Sequence, residues 1–112
     1  MSKTIQILIV LFCSFLGAFG QIFFKLGASS AKLNISILIN YNIIIGFILY
    51  GISAIIFIYV LKFGEVSMLY PIVATSYIWV MLFAWIFLKE NQSIPNFIGV
   101  CFILLGIYFI VK

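Results

Sequence analysis

Apolar residues in this chain gather into four long runs, at residues 4–24, 43–61, 66–88 and 96–111, with polar and charged residues collected between them. A helix rises ~1.5 Å per residue and a hydrocarbon layer is ~30 Å thick, so runs of about 20 residues match a bilayer. The third run carries no charge between Val66 and Leu88. Inside it, Pro71 lacks a backbone donor, which deprives the Ser67 carbonyl of its helical partner and predicts a kink. Pro71 is therefore the expected hinge of that span. Tyr70, Pro71, Ala74, Tyr77 and Ile78 share one side of it, with Ser67 a turn earlier. That side mixes small, polar and aromatic groups and is the candidate site.

In the first run, Ser14, Gly17, Ala18 and Gln21 recur at helical spacing, and Lys25 continues the line one turn later. Two readings are open. The stripe is either a close-packing face, with Gln21 bonding a neighbouring helix and Lys25 reaching to the interface, or a substrate-binding face. The run is too long for the 7–15 residue apolar core of a signal peptide and is expected to be retained. Residues 27–42 are expected to form a loop or interfacial segment, with Asn40 and Asn42 as candidate caps of the next helix. In the second run Gly46, Tyr50, Gly51, Ser53 and Ala54 read as packing residues. The short connection at 62–65 makes the second and third spans antiparallel neighbours. In the fourth run Gly99 and Gly106, seven residues apart, mark a helix-packing seam.

Composition turns this pattern into a fold class. Of 112 residues, 67% are hydrophobic and 7% charged, against roughly 25% charged in soluble domains. The chain is predicted to be all-α, a single four-helix transmembrane domain of a multi-pass plasma-membrane protein that functions as a dimer. It has no His, and its only acids are Glu65 and Glu90. A nucleophile triad, a phosphate-binding glycine loop or a metal-ligand cluster cannot be assembled from it, so no enzyme activity, metal or cofactor is expected. Nucleic acid is excluded as a partner because the lysines do not cluster. Cys13 and Cys101 lie inside spans and read as small apolar residues.

With four spans, Lys3, Lys62 and Lys112 face one compartment and Lys25, Lys32 and Lys89 the other. The positive-inside rule then favours neither orientation. A single four-helix chain encloses little cavity, which points to a homodimer, parallel or antiparallel, or to a heterodimer with a similar subunit.

The segments GQIFFKLGA at 20–28, LKFGEVSMLYPIVATSYIWV at 61–80, FLKE at 87–90 and IGVCFILLGIYFI at 98–110 together resemble the drug/metabolite transporter superfamily. The likeness is to its four-span members: small multidrug resistance proteins and EamA-like subunits that flip aminoarabinose linked to a polyprenyl phosphate. Small multidrug resistance exporters carry a glutamate eight residues before the lysine that Lys25 resembles. Here that position is Gly17, and proton-coupled cation export lacks its carboxylate. The aromatic one turn after the tyrosine is replaced by Val73. Gly20-Gln21 followed by Lys25, and Tyr70-Pro71 followed by Trp79, are similar to the lipid-carrier branch. The resemblance implies a flippase for a lipid-linked or other amphiphilic anion, with Gln21, Lys25, Tyr70, Tyr77 and Gly17 around the substrate. An exporter of small organic cations and a structural partner subunit of a heteromeric transporter remain as alternatives.

Overall fold

A computed structural model describes residues 2–30 and 40–112. Among these residues five α-helices make four membrane-spanning segments: α1 (Lys3–Ser30), α2 (Tyr41–Leu61), α3 (Val66–Ile72), α4 (Ser76–Phe87) and α5 (Ile94–Val111). The third span is α3 and α4 joined by a 3₁₀ turn, Val73–Thr75. The all-α, four-span architecture read from the sequence is the one observed. A helix satisfies most of its backbone internally, as a hydrocarbon surround requires.

The α-helix of the third span breaks just past Pro71. The Val73 amide bonds back to the Tyr70 carbonyl and the Ser76 amide to Val73, three residues back instead of four. Removing the donor at Pro71 tightens the following turn, which places the expected irregularity at 73–75.

Helix α1 is the hub, packed against α2, both halves of the third span and the 3₁₀ turn. Its contact with α2 rests on glycine. A Cβ on Gly20 would lie 3.0 Å from the Gly46 carbonyl oxygen and 3.3 Å from the Tyr50 amide nitrogen. A Cβ on Gly46 would lie 2.7 Å from the Phe24 ring and 2.9 Å from the Gly20 carbonyl oxygen. The two backbones cross there with no room for a side chain, the close approach that small residues permit between membrane helices.

The helix of α1 runs to Ser30, so Gly27, Ala28 and Ser29 are helical, where a loop or interfacial segment is predicted. The added turn has a physical reason. Gly27 is buried against Ile43 and Asn40, which prolongs the α1–α2 contact, and Ser29 Oγ donates to the Lys25 carbonyl at 2.9 Å. The rest of that connection, residues 31–39 with Lys32, lies outside the described residues. Asn40 is the N-cap of α2, its side chain accepting from the Asn42 amide at 3.0 Å, while Asn42 sits in the first turn.

At the other end Gln6 is buried and donates to the Phe63 carbonyl at 3.2 Å, holding the α2–α3 turn on α1. Gly64 lies against Gln6 so closely that a Cβ would collide with its amide oxygen. Above this turn Val10, Val60, Leu69 and Ile72 form one apolar cluster, to which α5 adds Ile107 and Val111. Phe15 and Phe19 of α1 meet Trp79 and Phe83 of α4 with ring centroids 4.5–5.6 Å apart, most pairs edge to face, the preferred geometry for aromatic rings.

Helix α5 buries no residue. Apart from the adjoining residues and backbone of α5 itself, no heavy atom of the described residues lies within 4 Å of a Cβ built on Gly99 or Gly106. The glycine pair predicted as a packing seam therefore packs against nothing among the described residues of its own chain.

Gly20→Ala should destabilise the fold by ~1–3 kcal/mol, because the atoms it strikes are backbone and cannot move aside. Gly51, with nothing within 4 Å, should accept Ala without loss. Thermal unfolding in detergent, followed by circular dichroism, compares the two.

Candidate functional site

The crossing of α1 and α2 leaves a cleft on the side where the third span leans in. It is one open groove in two connected parts, of ≈ 490 Å³ and ≈ 180 Å³. Gln21, Tyr50, Tyr70, Val73 and Ser76 line both parts. Ala74, Tyr77 and Val80 belong to the larger, Cys13, Ser14, Gly17 and Ser53 to the smaller.

Each polar group is placed by the packing below it. Ser53 Oγ donates to the Cys13 carbonyl at 2.8 Å, tying α2 to α1 at the inner end of the groove. Ser14 Oγ donates to the Val10 carbonyl at 3.0 Å and stands 3.5 Å from the carbonyls of Ile72 and Val73, at the start of the 3₁₀ turn. A hydroxyl facing backbone acceptors at a break in a membrane helix offsets lost helical bonding. Tyr50 stands beside Gly46 and Phe24, with a ring centroid 6.1 Å from that of Phe24, and Tyr70 lies 6.2 Å from Phe57.

The sequence-derived residues fall into two groups. Gly17, Gln21, Tyr70 and Tyr77 all line the groove. Lys25 does not; it is exposed on α1, four residues beyond Gln21, about 6 Å along the axis. A lysine stem is long enough to span that distance. Pro71, the chain neighbour of Tyr70 inside α3, does not itself line the groove. Trp79 belongs to the aromatic cluster with Phe15 and Phe83.

Tyr50, Ser53 and Ser76 are groove residues that the sequence did not single out as such. The signal for the first two was faint: two hydroxyl residues three apart in a run rich in Ile and Phe, among small residues that packing alone explained. Only the rotation of α2 about the Gly20–Gly46 contact shows that they face the groove.

No charged residue lines either part of the groove among the described residues. At Gly17 a Cβ would meet Ser53 Oγ at 3.6 Å and the Tyr50 ring at 4.0 Å, ordinary contact distances. The wall offers hydroxyl and amide dipoles on an apolar surface. In a single chain one side of it is open, with Tyr70 and Tyr77 exposed by 65% and 62%.

Compared with known proteins, the chain matches the EamA-like transporter family over residues 1–112. No curated protein and no solved structure matches it significantly.

Proposed function

The chain belongs to the EamA-like transporter family, and from that premise we propose that it is a flippase subunit of the plasma membrane that moves an amphiphilic anion. A sugar linked to polyprenyl phosphate, such as aminoarabinose, has the required chemistry. The observation that carries this reading is the charge of the groove. Its described lining holds no carboxylate, Gly17 stands where cation exporters of this type carry one, and the ionisable group nearest along the α1 stripe is Lys25. An organic cation entering would find no counter-charge, and uncompensated charge within a membrane costs ~2.5–3.5 kcal/mol or more. A phosphate would find the Lys25 ammonium at the mouth, and hydroxyl and amide donors from Tyr70, Tyr77 and Gln21. The open side lets a lipid tail stay in the bilayer while the head group crosses.

An open groove with exposed tyrosines needs a second wall, and the reading assigns it to a second subunit, identical or similar. The unburied α5, with Gly99 and Gly106 free of intrachain contacts, offers the close-approach surface. Pro71 and the 3₁₀ turn act as the hinge that exposes the groove to one side and then the other.

Lys25→Ala should weaken binding of undecaprenyl phosphate more than about tenfold, the loss of one charge-assisted contact of ~1.5 kcal/mol, in titrations by native mass spectrometry. Gly17→Glu, whose Cβ would meet Ser53 and Tyr50 at ordinary contact distances, should add binding of a quaternary ammonium ion. Undiminished lipid binding by Lys25→Ala, together with proton-driven uptake of quaternary ammonium by the unmodified protein, would reverse the assignment.

Pro71→Ala supplies an amide donor to the Ser67 carbonyl and should stiffen the span, slowing transport in proteoliposomes while raising thermal stability. Unchanged transport would remove the hinge role. Gly106→Leu should convert dimers to monomers, counted by single-molecule photobleaching in liposomes, with helix content unchanged; dimers persisting in this variant would move the interface elsewhere.

A further inference from the structure

The third span has a second groove on its other side. Tyr70, Val73 and Tyr77 face the candidate site, whereas Ile72 and Thr75 turn away toward α1 and α5. There they bound a groove of ≈ 390 Å³ with Leu11, Leu104 and Ile107 along its walls, a volume within the range of small-molecule sites. It runs along α5 from Leu104 to Lys112, about 12 Å.

Its outer end is basic. Lys3 Nζ donates to the Val111 carbonyl. Lys112 Nζ stands 5.8 Å from the Tyr108 ring centroid, and both of these residues line the groove. Two ammonium groups are thus gathered at the last turn of α5, and neither forms an ion pair with a carboxylate among the described residues. Lys3 uses one of its three donors on Val111. The attraction of a cation to a helix C-terminus accounts for one ammonium at Val111. It does not account for an apolar groove ending beside two.

We propose that this groove binds an anionic phospholipid, with an acyl chain along its apolar walls and the phosphodiester between Lys3 and Lys112. The walls are hydrocarbon and the charge sits at the span ends, the depth at which a phospholipid changes from tail to phosphate. A soluble anion gains nothing from the walls. A zwitterionic lipid brings its own cation to the two lysines. Basic residues near an anionic membrane surface contribute ~1 kcal/mol each, so two give a preference for the anionic lipid of about 30-fold. The site is separate from the groove proposed for transport. Since its floor is formed by residues at and beside the 3₁₀ turn, a bound lipid supports the back of the segment whose front faces the substrate.

The test is native mass spectrometry of the purified full chain, titrated with phosphatidylglycerol and with phosphatidylcholine of the same acyl chains. The expected result is tighter phosphatidylglycerol binding, by about 30-fold, with most of the preference lost in Lys3→Gln/Lys112→Gln. Lys62→Gln, on the same face but outside the groove, should keep it. Ile107→Trp, which fills the groove without altering charge, should displace both lipids; Leu104→Phe provides a milder filling if the Trp variant does not fold. Equal affinity for the two lipids would overturn the proposal. So would equal loss in Lys62→Gln, or binding insensitive to filling, since both describe adsorption to a basic surface. Displacement of the lipid by millimolar inorganic phosphate would reassign the lysines to a soluble anion. Lys25-dependent binding of undecaprenyl phosphate, retained in the double variant, separates this site from the transport groove.

Discussion

One contact organises the molecule: the crossing of α1 and α2 at Gly20 and Gly46, where each backbone occupies the space a side chain would need. In a bilayer no hydrophobic effect drives helices together, since lipid tails are as apolar as leucine, so close packing of small residues has to do so. The α1 and α2 walls of the candidate site inherit their position from that crossing. It sets the rotation of α2 that turns Tyr50 and Ser53 toward α1, and it lets Ser53 reach the Cys13 carbonyl. It also leaves the stripe through Gly17 and Gln21 open toward the third span.

The third span divides the molecule into two environments. Apolar and aromatic packing fixes it at both ends, through Leu69 and Ile72 against Val10, and through Trp79 and Phe83 against Phe15 and Phe19. Between these anchors the backbone follows a 3₁₀ path, with the Ser14 hydroxyl close to two of its carbonyls. Thr75 Oγ1 is buried there with no hydrogen-bond partner among the described residues. Interhelical hydrogen bonds within membranes average only ~0.6 kcal/mol, so packing holds the ends while the middle is weakly restrained. A segment held at both ends and loosely bonded between them is suited to bend.

Charge is kept to the margins. Gln6 on Phe63 and Lys3 on Val111 bring the N-terminal end of α1, the α2–α3 turn and the end of α5 to one side. Lys3, Lys62 and Lys112 therefore share that side, as their spacing predicts. Lys25, in the C-terminal part of α1, and Lys89, in the connection just past α4, belong to the opposite side, and the groove lining keeps only dipoles. The selectivity proposed for it follows from this separation: among the described residues its wall carries no charge with which to hold a cation.

Four apolar runs were enough to define four spans, because in hydrocarbon each backbone must satisfy itself within its own segment, and length and hydropathy are local properties. Pro71 announced the break in the third span for the same reason, since a missing donor acts on the turn beside it. The polar stripe of α1, with Gly17 and Gln21, and the tyrosines of the third span were legible as a candidate because they stand out against apolar surroundings, and the structure brings them to one groove. Which glycines carry the packing was not legible. Gly20 and Gly46 are jammed against backbone while Gly51, Gly99 and Gly106 touch nothing, yet in sequence all five are single small residues in apolar helices. The extra turn of α1 at Gly27, the groove-facing Tyr50 and Ser53, and the basic groove beside α5 were hidden for the same reason. A helix apolar on every side carries no hydrophobic face to show which way it turns, so only the meeting of helices decides which residues face one another.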